Sequence, residues 1–217
     1  MNQNSVDFTS IDEAIEKANK EEKTFPCASI LIANSEKVLH KKVFGTFTYE
    51  SDEKINEDTL FDIASVTKVV ATLPAVMKVY EEKKLDLMAP VIKYIPEFDN
   101  NNKADILVIN LLIHNSGIPP YKSFYETLKT REEVLYAIFT CEKEYETGTK
   151  TVYSCFGFIL LAEIVKRLSG KPLDESCPEQ IFGPLGMTKT LHNPPESTRS
   201  KIVPTEIDSH WRHRLMQ

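Results

Sequence analysis

The stretch from residue 65 to residue 84 has the most regular pattern in the chain, and it constrains the fold more than any other feature. Its apolar residues recur about every 3.6 positions, which is the period of one face of an α-helix. These residues are Val66, Val69, Val70, Leu73, Val76, Met77 and Tyr80. The pattern predicts an amphipathic helix with one buried face. Pro74 lies inside it, and because proline lacks an N–H and crowds the carbonyl of Val70, we expect a kink there.

Only one strand–turn–strand signal accompanies the helical segments. Two apolar runs, residues 28–33 and 38–44, are separated by a polar turn at residues 34–37. Further helices are predicted at residues 10–23, 106–114, 131–141, 154–169 and 174–182. The fold class that follows is α+β, with a partial antiparallel sheet from the N-terminal hairpin packed with a mostly helical lobe. Two strands alone make a marginal sheet, so the fold is expected to be incomplete.

Charge and composition exclude several classes of partner. The 217 residues include 26 basic and 32 acidic ones, so the net charge is -6, and we expect no nucleic-acid partner. No apolar stretch approaches the roughly 18 residues of a membrane span. The N-terminus lacks the pattern of a secretory signal, which favours a cytoplasmic location for the chain as written and an extracytoplasmic one if the N-terminus was trimmed. The four cysteines form no Cys-x-x-Cys pair and are expected to be free thiols.

A candidate catalytic motif, Ser-x-x-Lys, opens the strongest predicted helix. Residues three apart lie on one helical face, so the amine of Lys68 can reach the hydroxyl of Ser65. A serine hydroxyl becomes a good nucleophile only when a neighbouring group accepts its proton. The spacing therefore suits Ser65 as nucleophile and Lys68 as its proton partner. The alternative is a helix-capping serine followed by a solvated lysine.

The residues around this motif resemble those of a known family. The segment FDIASVTK at residues 61–68 is similar to the nucleophile motif of the serine β-lactamase-related family, which holds class C β-lactamases, D-alanyl-D-alanine carboxypeptidases and esterases. Further blocks resemble the family in the same order, at residues 85–91, 94–98, 111–119, 148–158 and 181–187. The resemblance implies a β-lactamase/transpeptidase-like fold and a serine hydrolase that forms an acyl-enzyme with a small-molecule ester, β-lactam or D-amino-acid peptide.

The family's second motif, Tyr-x-Asn, corresponds here to residues 153–155. The resemblance implies that Tyr153 shares proton transfer with Lys68, whereas the alternative for Tyr153 is a core aromatic residue at the start of a helix. Cys155 replaces the family's asparagine at a substrate-binding position. A thiol donates and accepts hydrogen bonds weakly, so this replacement puts the recognition of amide substrates in doubt.

The family's third motif, Lys or His followed two residues later by Gly, does not occur in the 217 residues. The resemblance therefore predicts that residues 1–192 are the N-terminal portion of a hydrolase domain. Residues 193–217 would then be a polar tail leading into missing C-terminal strands. A natural truncation, a split protein and a trimmed chain all remain open. We expect impaired activity and self-association through the incomplete sheet, and the alternative is a non-catalytic remnant or interaction module.

The histidines suggest two further sites. His114 precedes Asn115 at a predicted helix end and could be a base, but the resemblance implies a structural, hydrogen-bonding role at this position. The pair His210 and His213 could hold a metal or an anion, but a solvated tail is the simpler interpretation. No metal or organic cofactor is implied by the sequence.

Overall fold

The computed structural model describes residues 6–205, and His210 and His213 lie outside them. Residues 6–205 divide into two compact units, residues 63–193 and residues 6–62 with 194–205. The described residues form helices and one two-stranded antiparallel sheet, so the predicted α+β class is confirmed. The predicted division into residues 1–192 and 193–217 stays a prediction.

The first unit is built on the predicted hairpin. Helix α1 spans Thr9–Lys20, strand β1 Cys27–Ala33 and strand β2 Val38–Gly45. The strands pair from Cys27 opposite Gly45 to Ile32 opposite His40. Asn34 closes the turn by accepting the backbone N–H groups of Glu36 and Lys37. A sheet of two strands leaves both outer edges without a strand partner among the described residues.

The end of the described chain belongs to the same unit. A 3₁₀ helix at Glu196–Lys201 leads into a parallel bridge between Leu60 and Ile202. The side chain of Val203 then joins Cys27 and Ile55 in a small apolar cluster. No periodic pattern in the tail predicts this bridge, because a single parallel pairing depends on residues some 140 positions apart.

In the second unit, the predicted helix at residues 65–84 is divided into three parts. A 3₁₀ turn at Ala64–Val66 is followed by a π-helix at Lys68–Thr72 and by helix α2 at Leu73–Glu81. The Leu73 N–H donates to the Lys68 carbonyl, five residues back. Pro74 therefore lies in the first turn of α2, where its missing N–H costs little. The expected distortion near Val70 is present, and it takes the form of a π-turn.

Helix α5 is the central helix of the second unit. The Ser154 hydroxyl accepts the Gly157 N–H at 3.3 Å at its start, and Gly170, at φ +77°, ends it. A Cβ at Gly157 would lie 3.2 Å from the Leu111 carbonyl, so glycine allows a neighbouring helix to approach closely. The other elements of the unit are 3₁₀ turns at Val91–Lys93, Pro96–Phe98 and Phe124–Glu126, helices α3 (Val108–Leu112), α4 (Arg131–Phe139) and α6 (Leu173–Cys177), and a π-helix at Pro178–Phe182.

One apolar cluster fills the second unit. It includes the buried face of α2, the 3₁₀ turns that follow, and the inward faces of α3, α4 and α5. Its fully buried members include Val76, Ile95, Phe98, Ile106, Leu111, Ile138, Phe156, Leu160, Leu161 and Ile164. Within the described part of the chain, none of the helices is both long enough and apolar enough to cross a membrane.

Candidate active site

Ser65 lies in the 3₁₀ turn that precedes the π-helix, and its side chain is exposed. The residue before it, Ala64, has φ +43°. A non-glycine residue in this left-handed region stores strain of about 1–3 kcal/mol. The backbone is therefore strained just before the exposed Ser65.

Lys68 lies one turn further along the same face. Its Nζ is 3.3 Å from the Ser65 Oγ, within hydrogen-bond reach. The same Nζ is 3.6 Å from the Cys155 Sγ at the start of α5. Lys68 thus joins the segment that carries the serine to the helix that carries the second motif. As the sequence predicts, the spacing of three residues places the Lys68 amine beside the Ser65 hydroxyl.

Tyr153 completes the group from the loop before α5. Hydrogen bonds with Lys68 and then Ser65 hold the pKa of the Tyr153 phenol below its ordinary value. Its ring lies 5.0 Å from the Lys68 Nζ and is about half exposed. The structure therefore does not place Tyr153 in the core, which was the alternative. The four predicted site residues, Ser65, Lys68, Tyr153 and Cys155, meet in one place.

His114 contacts the same loop from the end of α3. Its backbone carbonyl accepts the Val152 N–H at 2.8 Å, and its Nδ1 accepts the Ser154 N–H at 3.1 Å. The ring packs against Tyr153 with 4.7 Å between centroids. Burial, and then the positive charge of Lys68, lower the pKa of His114. The predicted hydrogen-bonding role at a helix end is confirmed, but the sequence does not reveal that the partner is the tyrosine loop.

A cavity of about 580 Å³ adjoins Lys68 and Cys155. Its walls come from the nucleophile segment, from α5 and from residues 125–135, and they are mostly apolar. Its lining residues include Thr72, Leu128, Val134, Leu135, Phe158, Ile159 and Ala162, with Lys129 and Arg131 among the polar ones. Sequence reasoning missed this cavity, because residues 125–135 carry no motif and are far from both catalytic motifs in sequence.

The buried carboxylate of Glu163 stabilises α5, which forms one wall of the cavity. Glu163 binds Arg131 at 2.7 Å and Arg167 at 2.9 Å, and Arg167 also binds Glu97 at 2.8 Å. These pairs connect α4 and α5 to the 3₁₀ turn at Pro96–Phe98. They account for the burial of Glu163, because its carboxylate is paired with two guanidinium groups.

The structure also bears on the cysteine and metal predictions. All four cysteines lie within the described residues and are free thiols. Between residues 6 and 205, no group of three or more His, Cys, Asp or Glu side chains is placed to hold a metal ion.

Comparison with known proteins identifies the family. The family model described as Beta-lactamase matches residues 11–211. An N-acetylmuramyl-L-alanine amidase of Bacillus subtilis is 34% identical over 190 residues, covering 78% of this chain and 43% of the relative. A putative D-alanyl-D-alanine carboxypeptidase of Escherichia coli is 33% identical over 210 residues, covering 87% and 48%.

The solved structures agree on the fold. A class C beta-lactamase superposes with a TM-score of 0.78 at 21% identity, covering 93% of this chain and 57% of that protein. The chain spans less than half the length of the two curated relatives. The match over 201 residues, from 11 to 211, confirms the resemblance that the sequence blocks indicate: this chain belongs to the beta-lactamase family.

Proposed function

We propose that residues 63–193 carry the acylation machinery of a serine hydrolase. The observation that carries this proposal is the position of Lys68, whose Nζ lies 3.3 Å from the Ser65 Oγ and 5.0 Å from the centroid of the Tyr153 ring. Hydrogen bonds with Lys68 and Ser65 lower the pKa of the Tyr153 phenol, which supports its place in the same group. A hydroxyl with two proton-transfer groups around it has the arrangement that nucleophilic catalysis requires. The exposure of Ser65 leaves the hydroxyl accessible to a carbonyl carbon.

In the proposed reaction, the Ser65 Oγ attacks the substrate carbonyl and its proton passes to Tyr153 or Lys68. The hydrogen bond from Lys68 favours the phenolate form of Tyr153, so the phenol oxygen is a suitable acceptor. The Ser65 backbone N–H donates to the oxyanion. Collapse of the tetrahedral intermediate breaks the bond to the leaving group, which takes the proton, and water later hydrolyses the ester on Ser65.

The proposed substrates are esters, β-lactams or D-amino-acid peptides. The last class is supported by similarity to the Escherichia coli relative, a putative D-alanyl-D-alanine carboxypeptidase. Cys155 would contact the substrate beside Lys68, and its weakly hydrogen-bonding thiol favours esters over amides. The adjoining cavity would hold the acyl part of the substrate, because its walls are mostly apolar.

We expect the polypeptide of 217 residues to acylate slowly and to turn over poorly. It contains no Lys-x-Gly or His-x-Gly sequence to form the opposite wall of the site. The loss of a single oxyanion donor typically reduces the rate about 100- to 1000-fold. Attack on the carbonyl requires less of the site than deacylation, which also requires a positioned water molecule.

The test is covalent labelling by a fluorophosphonate or a penicillin, followed by intact mass and peptide mapping. We expect one adduct, on Ser65, in the wild type and none in Ser65→Ala. Lys68→Ala and Tyr153→Phe should label more slowly. Ser169→Ala, a matched change at a serine at the far end of α5, should label normally.

Two outcomes would contradict the proposal. A folded wild type that forms no adduct would favour the alternative, a non-catalytic remnant or interaction module. An adduct that persists in Ser65→Ala would show that another side chain is the nucleophile. Efficient turnover of a chromogenic ester would refute only the expectation of slow acylation and poor turnover.

We also propose that the hairpin supports self-association. Both edges of the sheet lack a third strand in the described chain, and the side chains of Leu31 and Val38 are more than half exposed. Such edges pair readily with other strands. Sedimentation velocity should show dimers or larger species as concentration rises, and Leu31→Lys should reduce them. A monomer at all concentrations would refute this proposal without affecting the labelling result.

A further inference from the structure

The position of Tyr153 raises a structural question, because the residue lies outside regular structure. It belongs to the loop before α5, which begins at Cys155 with Ser154 as its N-cap. Its side chain is 51% exposed, so close packing on all sides does not hold it. Some other contact must keep the phenol beside Ser65 and Lys68.

His114 supplies bonds on both sides of this residue. The Val152 N–H donates to the His114 carbonyl at 2.8 Å, and the Ser154 N–H donates to the His114 Nδ1 at 3.1 Å. Two bonds from one residue, to the positions before and after Tyr153, fix the backbone at the tyrosine itself. The Ser154 hydroxyl adds a bond of 3.0 Å to the Pro119 carbonyl on the same side.

The imidazole ring also limits the movement of the phenol. It lies 4.7 Å from the Tyr153 ring at an interplanar angle of 43°, and 5.2 Å from the Phe158 ring. His114 therefore lies between the tyrosine and the first turn of α5. Aromatic pairs at these distances contribute about 0.5–1.5 kcal/mol beyond the area that they bury.

We propose that His114, as a neutral hydrogen-bond acceptor, is the positioning residue that holds Tyr153 against Ser65 and Lys68. The proposal rests on the proposed function, because it assigns His114 a role through Tyr153. His114 acts here through its bonds to the backbone on either side of Tyr153 and is therefore a positioning residue, not a catalytic one.

The acceptor role requires an unprotonated Nδ1. An imidazolium carries protons on both nitrogens and could not accept the Ser154 N–H. Burial and the charge of Lys68 lower the pKa of His114, which keeps the ring neutral at neutral pH. Lys68 and Tyr153 are the ionisable side chains that the described structure places against the ring.

The backbone at His114 provides a matched set of variants. Its φ of +58° is left-handed, a conformation that asparagine adopts more easily than most residues. His114→Asn keeps an acceptor oxygen near the place of Nδ1 and removes the ring. His114→Phe keeps a ring and removes the acceptor. Circular dichroism and thermal melts establish that each variant is folded.

The experiment measures the rate constant of fluorophosphonate labelling at Ser65 as a function of pH. We expect His114→Phe to label about 10- to 100-fold more slowly than the wild type, because the phenol is misplaced. His114→Asn should recover most of this loss. The wild-type rate should fall as the pH drops through the lowered pKa of His114, and this acid limb should be absent in His114→Asn.

A double-mutant cycle separates positioning from general loss of stability. If His114 acts through Tyr153, His114→Phe should have no further effect on labelling in a Tyr153→Phe background. Nitrogen-15 NMR of the wild-type ring should show an unprotonated Nδ1. Equal losses in both backgrounds, or normal labelling by folded His114→Phe, would overturn the inference. A wild type that forms no adduct would instead refute the proposed function.

Discussion

The two compact units differ in how much of their structure is supported by an interior. Residues 63–193 enclose an apolar cluster of 25 buried residues, whereas the buried cluster of the hairpin unit has three, Cys27, Ile55 and Val203. Strand β1 alternates between partly buried and exposed positions, as expected of a sheet that is covered on one face. All four candidate site residues lie in the unit with the larger interior. The geometry of the site therefore depends on helices with a packed core of their own.

The comparison predicts that matched substitutions cost far more in one unit than in the other. Leu161 on α5 is fully buried, and Leu31 on β1 is 57% exposed. We expect Leu161→Ala to lower the free energy of unfolding by about 2–5 kcal/mol, because it leaves a cavity. Leu31→Ala should change it by less than about 0.5 kcal/mol. Urea denaturation measures both, and equal costs would show that the units do not differ as described.

The sequence predicts the structure best where one local signal decides it. The limits of α5 follow from a capping serine at residue 154 and a glycine at residue 170, and the structure has both. The joining of Lys68 to Ser65 follows from their spacing. Long-range features could not be predicted in this way: the contact of His114 with the tyrosine loop and the cavity beside Cys155 depend on packing between distant segments. At Lys68–Thr72, Pro74 predicts a distortion but not its form as a π-turn.

The larger unit also contains a buried lysine, whereas the lysine in the hairpin turn is exposed. The Lys103 side chain is fully buried, and its Nζ donates to Asn100 Oδ1 and to the Phe139 and Cys141 carbonyls at 2.5–2.8 Å. The last two acceptors belong to the end of α4 and the residues after it, where helical carbonyls lack partners. Burial lowers the pKa of Lys103. The Lys103 side chain therefore caps the C-terminal end of α4 inside the larger unit.

We expect Lys103→Met to lower the free energy of unfolding by about 1–3 kcal/mol, because the Phe139 carbonyl at the end of α4 would lose this buried donor. Lys37→Met, at an exposed position in the turn of the hairpin, is the matched control and should change it by less than about 0.5 kcal/mol. Thermal melts compare the two. A neutral Lys103→Met variant would mean that relief of the buried charge outweighs the lost hydrogen bonds.

Buried thiols give a smaller, pH-dependent effect in each unit. Burial raises the pKa of Cys177 in the larger unit and of Cys27 in the hairpin unit. A raised pKa means that the folded state retains the proton longer than the unfolded state. The stabilisation is therefore complete below the unfolded pKa of about 8.5 and is lost as the pH rises through the folded value.

We expect Cys177→Ala and Cys27→Ala each to reduce the loss of stability between about pH 8.5 and pH 10, by up to about 1.4 kcal/mol per pH unit. Urea titrations at several pH values measure this slope. If the hairpin unit unfolds at a lower urea concentration than the larger unit, only Cys177→Ala should affect the unfolding transition of the larger unit. Cys27 should then react with a thiol reagent at a urea concentration below that transition. Unchanged slopes in both variants would contradict the burial argument.

The smallest expected effect is at Ala64, the strained residue before the nucleophile. Gly45 in the hairpin unit also has a left-handed backbone, but for a different reason. Gly45, at φ +83°, ends β2 at a place where a Cβ would overlap the Pro26 carbonyl oxygen, so glycine meets a steric demand there. Ala64, at φ +43°, adopts a left-handed conformation without being glycine.

Ala64→Gly should therefore raise the free energy of unfolding by up to about 1 kcal/mol, since relief of strain is partly offset by the greater flexibility of glycine in the unfolded chain. If the strain directs the Ser65 hydroxyl outward, the same variant should label more slowly with a fluorophosphonate although it is more stable. Gly45→Ala, the reverse change in the other unit, should destabilise the protein and leave labelling of the folded fraction unchanged. A variant Ala64→Gly that is both more stable and equally reactive would show that the strained turn has no part in presenting the nucleophile.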